Sequence, residues 1–159
     1  MLKRLINTII SLAVGVLIST SVYAADESFQ VSIRILTALS ISENQALSFP
    51  TTEATSSTQT VTVAPSDSTA ASFDIDGESG GAISASIAET NLALTNGSTT
   101  ITIDSFTFGG SCAADGTGTL TGGTLSGCNV GATATIPANP TNGTYYGNLT
   151  LREIGRASC

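Results

Sequence analysis

Few side chains in this sequence are able to do chemistry, and their types limit what that chemistry is. Three cysteines occur, Cys112, Cys128 and Cys159, and there is no histidine or tryptophan anywhere. A nucleophilic thiolate needs a nearby base, and a structural metal site needs several Cys or His ligands together. Neither is present, so disulfide formation is the chemistry left to these cysteines. With Cys159 set aside for reasons given below, Cys112 and Cys128 form an even pair. A bridge between them would stabilise the fold by ~3 kcal/mol in the chain-entropy model. The segment it closes is rich in Gly and Thr and poor in apolar residues, so it needs such a staple.

Asp74, Asp76 and Glu78 place carboxylates on alternate residues before and after Gly77. Oxygen ligands in that rhythm suit calcium. The downstream ligands of an EF-hand are absent, and a strand ending in an acidic turn gives the same string. The expectation is therefore no metal and no cofactor, with these three residues as the candidate calcium ligands. Catalytic residues are not expected either. Serine and threonine abound, but with no His, and no Lys beyond Lys3, a hydroxyl lacks its activating base. The remaining acids are scattered, and no Trp is present to stack a sugar, which argues against a glycosidase. Three Asn-x-Ser/Thr triplets begin at Asn96, Asn142 and Asn148. Such triplets arise by chance in a chain of this composition.

The first 24 residues read as a signal peptide. Lys3 and Arg4 supply the positive start, residues 5–18 are mostly apolar, and Val22-Tyr23-Ala24 precedes a cleavage point. The apolar run falls short of the roughly 20 residues that a membrane span requires. No second such run follows, so no span is expected in the mature chain. The predicted destination is the periplasm, the cell surface or the extracellular space, where disulfides persist. Cleavage leaves three arginines (Arg34, Arg152 and Arg156) against twelve acids, a net charge of −9. That field repels phosphate backbones, so nucleic acid is not an expected partner.

At the other end, Glu153-Ile154-Gly155-Arg156-Ala157-Ser158-Cys159 breaks with the composition before it. The heptapeptide looks like a translated sequencing adapter. Residues 153–159 are expected to be a non-native tail, with residues 25–152 as one domain.

What must position these residues is a set of strands. Apolar side chains fall on every second position in most segments, the period of a half-buried strand. Phe29, Val31, Ile33 and Ile35 form the first such row, and Ala46-Leu47-Ser48-Phe49 a short strand closed by Pro50. Val61 and Val63, Phe73 and Ile75, and Ile83, Ala85 and Ile87 mark three more. Asn96-Gly97, between Leu92/Leu94 and Ile101/Ile103, is a strong hairpin signal, because both central residues of such a turn must take positive φ. Gly122-Gly123 suggests a second, smaller hairpin. Val130 to Ile136 and residues 143–151 complete the series. No helical period appears after the signal. About nine or ten strands at such spacing predict an all-β, immunoglobulin-like, two-sheet sandwich.

Three stretches carry a resemblance: Gly143-Thr144-Tyr145-Tyr146-Gly147-Asn148-Leu149-Thr150-Leu151, Val130-Gly131-Ala132-Thr133-Ala134-Thr135-Ile136, and Leu47-Ser48-Phe49. The pattern resembles a bacterial family catalogued as domain of unknown function 4402, over roughly residues 25–151. The family's usual aromatic-ended final run is absent here. The resemblance implies an exported immunoglobulin-type sandwich, more distantly similar to fimbrial subunits, with no catalytic residues to carry over. The expected function is a non-enzymatic structural or adhesive surface protein, pilin-like, with copies of itself or other surface subunits as partners. Residues 28–36 are the expected donor strand. The alternative is a secreted or periplasmic module that binds a carbohydrate or a protein, for which Tyr145 and Tyr146 are the candidate contacts.

Overall fold

The computed structural model describes residues 27–156; the expected signal segment and residues 157–159 lie outside that range. The chain divides into two units, one ending at Arg34 and the other beginning at Ile35. In the second unit the regular structure is all β: β1 (Ser40–Gln45), β2 (Gln59–Val63), β3 (Ala71–Asp76), β4 (Ala82–Ile87), β5 (Leu92–Thr95), β6 (Thr100–Gly110), β7 (Thr117–Thr119), β8 (Thr124–Ile136) and β9 (Leu151–Arg156). They form two sheets. The larger runs β1-β3-β8-β6-β5 with β2 also on β8; the smaller runs β7-β4-β9. All the pairings are antiparallel.

Strand β8 organises the larger sheet, because it is long enough to hold two strands on one edge. β3 pairs with its first part and β2 with its second, while β6 runs along the other edge. Its inward side chains, Cys128, Val130, Ala132, Ala134 and Ile136, are all buried. Thr133 and Thr135 alternate with them on the outer face and are only partly buried. The chain leaving β2 crosses that outer face at Gly131. A Cβ there would lie 2.3 Å from the Val63 carbonyl oxygen, so only glycine admits the crossing.

The Asn96-Gly97 hairpin forms and joins β5 to β6, but as a four-residue loop between the paired Thr95 and Thr100, in which Gly97 takes positive φ (+96°) and Asn96 does not. The Asn96 Oδ1 accepts the N–H groups of Ser98 and Thr99, which closes the turn. In β6 the inward set switches from Ile101 and Ile103 to Phe106 and Phe108. A bulge between Asp104 and Thr107, with Ser105 at φ +54°, makes that change of phase. One extra residue moves the alternation to the other parity.

Four segments depart from the sequence expectation. The row from Phe29 to Ile35 is extended in pattern but pairs in no ladder. Residues 46–50 are irregular, and only Leu47 and Phe49 among them are partly buried. Residues 143–150 make a single bridge, Tyr146 to Thr95, before β9 begins at Leu151. Near Gly122-Gly123 the turn forms with a Thr121–Thr124 bridge, but β7 pairs with β4 in the other sheet instead of with β8. Local alternation records which faces are apolar. It does not record which strand is the neighbour.

The core falls into two parts. Ile75, Ile83, Ala85, Leu120 and the two cysteines pack between the sheets, with Phe108, Leu125 and Leu151 against them. Ile103, Ala132 and Ala134 form the other part, joined by half-buried side chains that include Leu47, Phe49, Leu94 and Ile101. Gly131→Ala should therefore lower stability by about 1–3 kcal/mol, the usual cost of overpacking. Urea unfolding checks this, and an unchanged midpoint would contradict the crossing at Gly131.

Candidate functional site

The cysteines sit where the chain changes sheets. β6 ends at Gly110, whose register partner in β8 is Cys128. The chain then passes Cys112, crosses to the smaller sheet as β7, and returns as β8. Cys112 and Cys128 are bridged, with Cα atoms 4.9 Å apart. Both are buried in the core between the sheets. The bridge thus closes the excursion that carries β7. At its tip Asp115 accepts the Thr117 hydroxyl and N–H, which hold its carboxyl below the ordinary value.

The three acids nominated for calcium are engaged separately. Asp74 Oδ1 accepts the Gly127 N–H at 2.8 Å. Asp76 Oδ1 accepts the Thr124 hydroxyl at 2.6 Å. Glu78 Oε2 accepts the Thr37 N–H at 3.2 Å. Asp74 and Asp76 thereby tie β3 to β8, while Glu78 holds the approach to β1. Among the described residues no three acids, cysteines or histidines gather in metal-ligand geometry.

The most open feature is a cleft on the inner face of the larger sheet. That sheet has six strands and the facing sheet three. Residues 46–50 and 143–150 flank the cleft as two separate segments, tied by backbone hydrogen bonds of Ser48 to Thr69 and of Tyr146 to Thr95. Between them are two adjoining cavities of about 360 and 600 Å³. Leu47, Phe49, Leu94, Tyr145 and Tyr146 line both. The second flank is anchored at its ends. Tyr145 donates its hydroxyl to the Thr141 carbonyl, and Thr150 donates its N–H to Glu89 Oε2, which holds the Glu89 carboxyl below its ordinary value. Backbone groups of Gly147, Asn148 and Leu149 make no backbone hydrogen bond to another described residue, and neither do those of Leu47 and Phe49.

A second apolar feature lies ahead of β1. Phe29, Val31, Ile33 and Ile35 are 80–88% exposed. Single exposed apolar residues are ordinary, but here four recur on alternate residues of one segment that belongs to no ladder. The sequence picked out this row but assigned it a buried side. It also picked out Tyr145 and Tyr146. It gave no sign that residues 46–50 would stand apart as the other flank.

The family model for Domain of unknown function (DUF4402) matches residues 40–152. The chain belongs to this family. The matched stretch opens on the first residue of β1 and takes in both cavities, the disulfide and the acids of β3. The exposed row at 29–35 lies outside the DUF4402 match. No curated protein and no solved structure matches the chain significantly.

Just past the DUF4402 match, the last strand carries an inverted pattern. Leu151 packs against the core, yet Ile154 is exposed. Glu153 shares the inward side with Leu151 and stands opposite the buried Ala85. Its Oε1 is buried without a hydrogen-bond partner, and burial raises its pKa. An acid whose folded pKa is raised destabilises the fold where it is ionised. The penalty is absent at acid pH and grows as pH climbs from the ordinary carboxylate value through the raised one.

Two measurements follow from this geometry. Cys112→Ala with Cys128→Ala should cost about 3 kcal/mol in urea unfolding, and the oxidised parent should lose as much on reduction. Glu153→Leu should gain on the order of 1 kcal/mol at neutral pH by removing an unsatisfied buried carboxylate. That gain should shrink as pH falls below the ordinary carboxylate value. A gain independent of pH would show that Glu153 is not the titrating cause.

Proposed function

We propose that the chain is exported and serves as a non-enzymatic structural or adhesive protein of the cell surface. In this reading it is fimbrial-like and assembles with copies of itself or other surface subunits by strand complementation through residues 28–36. One observation carries the reading: the alternating row Phe29, Val31, Ile33 and Ile35 is exposed and belongs to no ladder. A disulfide in the domain suits an oxidising compartment. The absence of histidine, and acids engaged in strand-to-strand hydrogen bonds, support a non-enzymatic role.

Magnitudes favour strand addition over simple stickiness. Burying four such side chains yields about 1.5–3 kcal/mol each, while association costs an estimated ~4–15 kcal/mol. Apolar burial alone therefore leaves a weak complex. A backbone ladder adds about 0.5–1.5 kcal/mol net per hydrogen bond, and residues 28–36, which belong to no ladder, are able to supply one. The second reading, a module that binds a carbohydrate or a protein, draws on Tyr146, an exposed aromatic on the rim of both cavities.

The test uses a chain beginning at Ala25, followed by light scattering and electron microscopy. Oligomers or fibres are expected, and both deletion of residues 25–36 and Val31→Asp with Ile33→Asp should return monomers. Because every copy carries −9, association should strengthen with salt as the Debye length falls from ~30 to ~8 Å. A stable monomer at high concentration, indifferent to the deletion, overturns the reading. Monomers that bind immobilised glycans would favour the second one.

A further inference from the structure

The cleft is shaped like the place of a missing strand, and we infer that residues 29–35 of a second copy fill it. This inference rests on the self-assembly reading and adds the acceptor. Four observations converge on it.

The two layers are unequal. A sandwich buries the apolar face of each sheet against the other. Here six strands face three, and the cluster of Ile103, Ala132 and Ala134 with Val61, Leu94 and Ile101 includes no residue of β4, β7 or β9. The flanks at 46–50 and 143–150 cover that face only in part. The 600 Å³ cavity between them is lined by Leu94, Ile101 and Ala134.

The floor is low where it should be low. β8 presents Ala132 and Ala134 inward on successive inward positions, both buried. Ala134 lines the 600 Å³ cavity, and because protein interiors are close-packed, a residue that small leaves volume for large side chains from above. Phe29, Val31, Ile33 and Ile35 are such side chains, presented at the period of a strand.

Both walls carry backbone groups with no backbone partner among the described residues, although Ser48 is bonded to Thr69 and Tyr146 to Thr95. Leu47 and Phe49 on one side, and Gly147 to Leu149 on the other, make no backbone hydrogen bond to another described residue. The second wall continues directly into β9, which pairs with β4 on one edge and, among the described residues, has no partner strand on the other. A strand laid between the walls would extend the smaller sheet from β7-β4-β9 to a fourth member.

The occupant lies outside the acceptor domain. The family match starts at Ser40, after the exposed row, so the row is an extension to a domain that has an open cleft. The like charge of the copies is no guide to docking, which leaves shape and apolar burial to set the register.

The decisive experiment is photocross-linking in the full chain from Ala25, with benzoylphenylalanine at Ile33. Heavy- and light-isotope copies are mixed, and the cross-links are mapped by mass spectrometry. Heavy–light links to residues 47–49, Leu94 and 143–146 are expected. Heavy–light links elsewhere, such as the edge at β1, would overturn the cleft as acceptor and leave self-assembly standing. Links within one copy, or none, would overturn both. A companion variant, Ala134→Phe, fills the cleft from its floor. It should reduce the assembled fraction at least tenfold while circular dichroism still reports the β fold. Unimpaired assembly by folded Ala134→Phe would count against the cleft.

Discussion

A sheet with one apolar face is unstable until that face is covered, because every uncovered apolar side chain keeps its ordered water. This constraint governs the molecule. The alternation along β8 creates a broad apolar surface, extended on both sides by β2, β3, β6 and β5. The three strands of the other sheet cover the half around Ile75, Ile83 and Ala85. The half around Ile103 and Ala134 is left to irregular chain. The two cavities between the flanks follow from that imbalance.

The disulfide belongs to the covered half. It fastens the point where the chain leaves the larger sheet, contributes β7 to the smaller one, and comes back as the central strand. A Gly- and Thr-rich excursion has little apolar area with which to hold itself in place. A covalent closure substitutes for that missing burial. Asp74 and Asp76 serve the same region by accepting hydrogen bonds across from β8. These carboxylates are part of the sheet's lateral cohesion.

Glu153 shows the same constraint from the opposite side. It puts a carboxylate where the pattern asks for an apolar side chain, and turns Ile154 out to water. A period-two structure turns any mismatch of phase into a burial error on every residue that follows. β9 keeps its pairing with β4 over all six residues despite that penalty. Backbone pairing thus tolerates a side-chain sequence that the core does not favour.

Much of this was legible without coordinates. Period-two apolar spacing, Pro and Gly punctuation, and Asn96-Gly97 determine an all-β chain with its β5–β6 hairpin, because these signals act within a few residues. The pairing of Cys112 with Cys128 was also readable, since no other chemistry was open to them. Only the tertiary structure decided that β8 holds two strands on one edge, that β7 joins β4, and that residues 46–50 and 143–150 stand apart. It also decided that Phe29 to Ile35 is exposed, although its alternation is as regular as that of β8. The reason is physical: alternation fixes which side chains need cover, whereas the partner that covers them is set by contacts between residues far apart in the chain, which no local pattern encodes.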